Sequence, residues 1–338
     1  MKDECFLIAE IGQTHEGSVG LAESLCYAVS KAGFDAVKFQ MHLANEESTL
    51  DEQFRTPFSF VDKTRFDYWE RTSFSISEWK YIVSLAKKLN LKVGISPFSK
   101  KAVDICRELN IDFIKLGSGE VFNQDLINYL NENDNVIMSS GMSTINETVE
   151  ISEYLLDRVK SLSLTHCHSA YPCEIKDLNL SAIEHLKNLT GIPVGYSDHS
   201  GNSHVGMAAI ANKAQLLEVH CVFSRDMFGP DSKSSLIFKE LEEIKKFRDV
   251  FYASIGIIKN IEERENSNYI KKMKQIFGRS ISLKRNLPKG YIIKQKDIIM
   301  KKPYGGISFK DRGKVINAEL SKDYDSNYLL REEDLKND

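Results

Sequence analysis

The chain has 338 residues, 42% of them hydrophobic and 28% charged, which is enough apolar material for one large core with a small extra domain. Its 45 basic and 48 acidic side chains leave a formal charge of -3, so no basic field directs it to nucleic acid or to an anionic membrane, and any anionic ligand must be held locally. The six cysteines, Cys5, Cys26, Cys106, Cys167, Cys173 and Cys221, form no Cys-x-x-Cys pair, which argues against a disulfide framework or a cysteine zinc site and for a cytoplasmic protein.

Met1-Lys-Asp-Glu4 leads straight into a strand without the basic and apolar regions of a secretory leader, and no apolar run approaches the roughly 20 residues of a membrane span. Short apolar or β-branched runs then recur at Phe6 to Ile11, Ala36 to Gln40, Leu91 to Ser96, Phe113 to Leu116, Val136 to Ser139, Leu162 to Cys167, Pro193 to Ser197 and Leu216 to Val222. Between them, Leu21 to Ala32, Ser77 to Leu89, Lys101 to Leu109, Asn146 to Val159 and His204 to Lys213 show helical periodicity. This alternation of strand and helix predicts parallel βαβ units, and eight of them in about 250 residues predict a closed (β/α)8 TIM barrel. After Phe251 a charged helical stretch, Asn260 to Gln275, gives way near Gly278 to short extended runs broken by Pro288-Lys-Gly290 and Pro303-Tyr-Gly-Gly306. The expected division is a barrel over 1–260, a helical linker over 261–278 and a small β-rich domain over 279–338.

Active sites of the barrel fold lie at the C-terminal ends of the strands, and polar residues gather there in this chain. In chain order they are Glu10, Lys38 and Gln40, Ser96, Lys115 and Ser118, Ser139, His166 to Ser169, Ser197 and His199, and Glu218 and His220. Side chains two residues apart on a strand share a face, so Ser197 and His199 are expected to point the same way as Glu218 and His220 on the next strand. Two neutral imidazoles can hold a divalent ion with positions left open for substrate, and Asp198 and Glu218 would then fix their tautomers. The alternative is a pair of core histidines satisfied by those same acids. Lys38 and Lys115 lie in apolar surroundings and require anionic partners, for which phosphate or carboxylate would serve. The serines and Gly117-Ser-Gly-Glu120 add hydroxyl and backbone donors of the kind that cradle phosphate.

His166, Cys167 and His168 alternate in direction along their strand and are not expected to converge on a second metal or a nucleophilic site. His15, His42, His185 and His204 read as surface or hydrogen-bonding residues. The connection over 43–76, with Phe54, Phe58, Phe60, Phe66, Tyr68 and Trp69, is longer than most barrel loops and reads as a lid, an oligomer contact or packing against the barrel.

Taken in order, Ile8-Ala-Glu-Ile-Gly12 with His15-Glu-Gly17, Val37-Lys-Phe-Gln40, Ser96-Pro-Phe-Ser99, Lys115-Leu-Gly-Ser-Gly-Glu120, Ser139-Ser-Gly-Met142, Ser169-Ala-Tyr-Pro172, Gly195-Tyr-Ser-Asp-His199, Glu218-Val-His220 and Gly229-Pro-Asp231 resemble the motifs of the sialic acid synthase family. The resemblance extends to Ser280 to Leu335, which is similar to the small antifreeze-like domain that follows the barrel in that family. It implies condensation of phosphoenolpyruvate with an N-acyl hexosamine, N-acetylmannosamine or a diacetamido-trideoxyhexose, to a nine-carbon 2-keto sugar acid with release of phosphate. It further implies a homodimer in which the small domain reaches the partner's barrel.

By the same resemblance His199 and His220 are ligands of a catalytic divalent ion, usually manganese, with magnesium or cobalt as alternatives. Lys38, Ser96, Lys115, Ser118, Ser139, Ser169 and Ser197 bind phosphoenolpyruvate. Glu10, Gln40, Tyr171 and Asp231 contact the sugar, with Glu10 also a candidate for proton transfer. Thr14 stands where the family usually has asparagine, as does Ser169 for many members. Lys302 stands where many members place an arginine that reaches the partner's sugar, and lysine lacks the planar fork. Two other functions remain in competition. One is a metal-free Schiff-base aldolase using Lys38 or Lys115; the other is a non-catalytic carbohydrate-binding barrel.

Overall fold

A computed structural model describes residues 4–55, 58–255 and 263–336. The chain divides into two compact units, Met1–Ser254 and Ile255–Asp338. The expected boundary at 260 lies outside the described residues.

In the first unit eight parallel strands follow one another around a closed barrel: β1 (Phe6–Gly12), β2 (Ala36–Met41), β3 (Lys92–Pro97), β4 (Phe113–Leu116), β5 (Asn135–Ser139), β6 (Ser161–His166), β7 (Val194–Asp198) and β8 (Leu216–Val222), with β8 pairing back onto β1. The TIM-barrel expectation holds, and each strand lies within about two residues of its apolar run. Helices fill the connections. Val19–Ala32 opens on a Ser18 cap and ends at Gly33, whose φ of 78° provides the left-handed exit that a side chain would resist. Ala182–Thr190 and Phe238–Ile255 are among the helices that carried no sequence expectation.

The floor of the barrel interior is a separate apolar layer of Ile8, Ala36, Phe113, Ile137 and Leu216. Gly94 makes room for it, since a Cβ there would stand 2.2 Å from the Phe113 ring. Above that layer the inward residues turn polar, and strand register sets them at one level: Glu10 pairs across to Lys38 on β2 and to His220 on β8, and Ser197 pairs with Glu218. Parallel pairing brings these groups together from residues as far apart as 10 and 220.

The connection over 43–76 is not one loop. It contains the helices Ala44–Glu47 and Arg65–Thr72, the second started by a capping box between Thr64 and Asp67. Phe66, Tyr68, Trp69 and Ala44 form their own small core, with Phe54 and Phe58 against it, whereas Phe60 is 97% exposed. Arg71 ties this segment down, bonding to Asp62 and to Glu16, which also accepts from the Tyr68 hydroxyl at 2.6 Å.

The second unit contains the helix Asn268–Phe277 and is otherwise β-rich, with Ser280–Leu283 antiparallel to Ile298–Lys301 and Glu319–Leu320 antiparallel to Leu335–Lys336. Its core gathers Ile281, Leu283, Leu287, Ile293, Val315, Leu320 and Leu330. Two buried carboxylates organise its loops: Asp297 accepts from Arg285 and Tyr291, and Asp334 from Tyr324 and Tyr328. Among the described residues no helix is long and apolar enough to cross a membrane.

Candidate active site

At the C-terminal mouth of the barrel lies a cavity of about 640 Å³, a size that holds two small substrates. It is lined by Glu10, Lys38, Gln40, Ser96, Lys115, Ser118, Ser139, Ser169, Tyr171, Ser197, His199, His220 and Asp231, which are all the residues that the family resemblance assigns to metal, phosphoenolpyruvate or sugar except Lys302. Lys302 belongs to the second unit, where its ammonium lies 5.1 Å from the centre of the Phe277 ring.

Its floor holds two lysines and two glutamates, each no more than 5% exposed. Lys38 is ion-paired to Glu10 and lies 3.8 Å from Glu218. Lys115 lies 3.0 Å from Glu218 Oε2, while Oε1, the oxygen towards Lys38, accepts from Ser197 at 3.2 Å. Charges this deep survive only when paired and hydrogen-bonded. Burial lifts the Glu10 carboxyl above the ordinary carboxylate range against the pull of Lys38. Burial also pushes Glu218 up, but Lys115 and Lys38 together outweigh it and hold that carboxyl below the ordinary range. Lys38 stays an ammonium because Glu10 and Glu218 more than offset the effect of burial. This corrects one expectation: Glu218 serves the lysines rather than fixing a histidine tautomer. Asp198 is likewise spent elsewhere, on the backbone N–H and hydroxyl of Ser200.

Beside this floor lies a hydroxyl-lined recess. Lys38 donates to Ser96 Oγ at 2.9 Å, Ser139 Oγ lies 2.9 Å from Thr165 Oγ1, and Ser118 Oγ lies 3.2 Å from Cys167 Sγ. The Ser169 hydroxyl is buried with no hydrogen-bond partner, which is costly unless a ligand supplies one. Gly141 keeps the recess open. A Cβ there would stand 2.4 Å from Cys167 Sγ and Ser169 Oγ and 2.6 Å from Ser118 Oγ.

His199 and His220 lie with ring centroids 5.5 Å apart, and the Tyr171 ring lies tilted against His199 at 4.2 Å. His199 Nδ1 lies 3.1 Å from the His168 carbonyl, so Nδ1 carries the hydrogen and the Nε2 lone pair is free. Burial, reinforced by His220, holds His199 down to about 3, a neutral imidazole near neutral pH. Among the described residues no cluster of three His, Cys, Asp or Glu side chains surrounds a point suitable for a metal ion. An ion held by this pair alone would have two protein nitrogens and its other positions open.

His166 bonds the Leu178 carbonyl, Cys167 faces Ser118 and His168 is exposed, so the three do not converge. His185 and His204 are exposed, whereas His15 and His42 are buried and hydrogen-bonded, the second of the two readings expected for them. The outer wall brings residues that the sequence did not single out: His42, Glu46, Glu47, Glu52, Arg55 and Arg65. Arg55 spans the mouth, 4.2 Å over the Tyr171 ring and 3.4 Å from Asp231, and Arg65 lies 2.6 Å from Glu52. The run of Glu and Arg in an aromatic-rich insertion was the only sequence signal for this wall.

The sequence profile of the NeuB family matches residues 25–258. The chain is 29% identical over 335 residues to the N,N'-diacetyllegionaminic acid synthase of Campylobacter jejuni, covering 96% of this chain and 98% of that protein. It is 28% identical over 345 residues to the N-acetylneuraminate-9-phosphate synthase of Drosophila melanogaster, covering 94% and 92%. Among solved structures, a spore coat polysaccharide biosynthesis protein E from Chromobacterium violaceum superposes with a TM-score of 0.72 at 20% identity over 98% of this chain and 99% of that one, which shows a shared fold. With a family profile that spans most of the barrel and relatives alignable from end to end, the chain belongs to the NeuB family.

Proposed function

We propose that this chain is a cytoplasmic synthase that condenses phosphoenolpyruvate with an unphosphorylated N-acyl hexosamine to a nine-carbon 2-keto sugar acid, releasing phosphate. The observation that carries the reading is the buried floor of two lysines against two glutamates beside an unpartnered hydroxyl and a recess that Gly141 keeps open. A carboxylate and a phosphate arriving there would take over the ammonium groups of Lys38 and Lys115 and hydroxyls of Ser96, Ser118, Ser139, Ser169 and Ser197. A Schiff-base aldolase is disfavoured by the same pairing, because both amines are engaged with carboxylates and an ammonium is no nucleophile.

The methylene carbon of phosphoenolpyruvate forms the new bond to the aldehyde carbon of the open-chain sugar, and the aldehyde oxygen takes up a proton. Water adds at the former enol carbon and loses one proton; the carbon–oxygen bond to phosphate then breaks while the remaining hydroxyl gives up its proton to the departing phosphate, leaving the 2-keto acid. We assign the proton transfers to Glu10 Oε1, which is held by the Gln40 amide. His199 and His220 would hold a divalent ion, manganese by preference, and such an ion supplies Lewis-acid polarisation of the sugar aldehyde when bound. Gln40, Tyr171 and Asp231 would orient the sugar. The lining carries seven carboxylates, Glu10, Glu46, Glu47, Glu52, Glu120, Glu218 and Asp231, against the four cations Lys38, Arg55, Arg65 and Lys115. With Arg55 and Arg65 already paired, that balance supports an acceptor without a phosphate of its own. We also propose a homodimer in which the exposed Lys302 of one protomer approaches the sugar in its partner.

Phosphate release from phosphoenolpyruvate with manganese, across N-acetylmannosamine, its 6-phosphate and diacetamido-trideoxyhexoses, with mass spectrometry of the product, tests the reading. Release that needs an unphosphorylated sugar and stops with chelator or in His220→Ala is the expected result. Product formed despite chelator, or trapped by borohydride on a lysine, refutes it.

A further inference from the structure

The end of β2 carries a histidine for which the reaction above has no task. His42 is 6% exposed, and its ring lies flat between two aromatics, 3.5 Å from Trp69 at 5° on one side and 4.1 Å from Phe98 at 12° on the other. Both ring nitrogens are engaged. Nδ1 lies 2.6 Å from Glu47 Oε1 and Nε2 lies 3.2 Å from Gln40 Oε1, while Gln40 Nε2 donates to Glu10 Oε1 at 3.1 Å.

These contacts fix where the hydrogens are. Glu10 is approached by donors at both oxygens, Lys38 at Oε2 and Gln40 at Oε1, so Gln40 presents its amide NH2 to Glu10 and its oxygen to His42. An amide oxygen only accepts, so His42 Nε2 carries a hydrogen. A neutral imidazole of that tautomer has a bare lone pair on Nδ1, which would repel a bare carboxylate oxygen at 2.6 Å. His42 and Glu47 therefore share one further proton. The second oxygen, Glu47 Oε2, is buried with no hydrogen-bond partner. The remaining charged and titratable groups around His42 are Glu52 and Arg65 of the long connection and His15 of the turn after β1. Burial disfavours the imidazolium by more than the Glu47 carboxylate favours it, which holds the ring below the ordinary histidine range, so the further proton belongs to the pair and not to the ring alone.

We propose that His42 is a positioning residue for Glu10. Held flat by Trp69 and Phe98 and kept protonated on Nε2 by the proton it shares with Glu47, it locks the Gln40 amide in the orientation that gives Glu10 its second donor. Only the consequence for turnover rests on the synthase reading; the hydrogen placement does not. When base removes the shared proton, the ring hydrogen moves to Nδ1 to face the Glu47 carboxylate, and Nε2 then opposes the Gln40 oxygen. The amide is released to turn and Glu10 loses its donor.

His42→Phe keeps a ring between Trp69 and Phe98 but donates nothing. In the full-length protein its circular dichroism should match the wild type while kcat falls about 10- to 100-fold, the effect of a loosened reacting group, with the KM for phosphoenolpyruvate moving less than about threefold. Glu47→Gln donates a permanent N–H to Nδ1 and should move the alkaline limb of kcat to higher pH. Independently of turnover, 15N imidazole NMR of the wild type should show His42 protonated on Nε2 at neutral pH. Wild-type kcat in His42→Phe, an unmoved alkaline limb in Glu47→Gln, or an Nδ1-only tautomer at neutral pH each overturns the proposal. A wild type inactive on every sugar would refute the synthase reading instead and leave the NMR result to decide this one.

Discussion

Glu218→Gln removes one charge from the floor of the cavity at almost constant volume. In the wild type the two ammonium groups and two carboxylates cancel, with Glu218 3.0 Å from Lys115 and 3.8 Å from Lys38. The amide oxygen keeps a hydrogen bond to Lys115 but supplies no countercharge. Removing one partner of a buried pair costs about 3–5 kcal/mol, and the retained hydrogen bond puts the expected loss at the lower end, about 3 kcal/mol. At roughly 2 °C per kcal/mol for a unit of this size, the thermal midpoint should fall by about 6 °C. The same substitution leaves the floor with a net positive charge, so phosphoenolpyruvate should raise the midpoint of the variant by more than it raises that of the wild type. Circular dichroism melts at pH 7, with and without phosphoenolpyruvate, measure both quantities. A midpoint within about 2 °C of the wild type, or an equal ligand shift, would refute the reasoning. The pH dependence has a definite sign. Burial pushes Glu218 up but the two lysines depress it further, so its folded value lies below its unfolded one near 4.3. Its stabilisation is complete above that unfolded value and is lost as pH falls through the folded one, so wild-type and variant midpoints should converge in acid.

Gly141→Ala would place a methyl 2.4 Å from Cys167 Sγ and Ser169 Oγ, and it should raise the KM for phosphoenolpyruvate at least about tenfold in steady-state assays without abolishing the fold. Arg71→Ala severs the bonds to Asp62 and Glu16 that hold the long connection, at a cost of about 1–2 kcal/mol given the partial exposure of the arginine. Limited proteolysis should then cut faster within residues 58–72, as mapped by mass spectrometry, and the acceptor KM should rise more than that for phosphoenolpyruvate.

The barrel was legible in the sequence because its signals are local. Eight short apolar runs separated by helical periodicity require only neighbouring residues to be recognised, and the two-residue strand period put Glu10, Lys38, Lys115, Ser197, His199 and His220 on the inner face at the ends of their strands. Partnership was not legible. Glu218 was expected to serve the histidines, yet ring closure sets it between Lys115, 103 residues away, and Lys38. His199 takes its hydrogen-bond partner from the His168 carbonyl, a backbone group that no residue type announces. His42 read as either a surface or a hydrogen-bonding histidine, and the choice was made by Trp69, from the helix that closes the long connection, and Phe98, from the end of β3, which cover its ring. Residue type and period decide which side of a strand a group occupies, because that follows from backbone geometry alone. Which charge meets which, and where each proton sits, depends on distances that exist only once the chain has closed on itself.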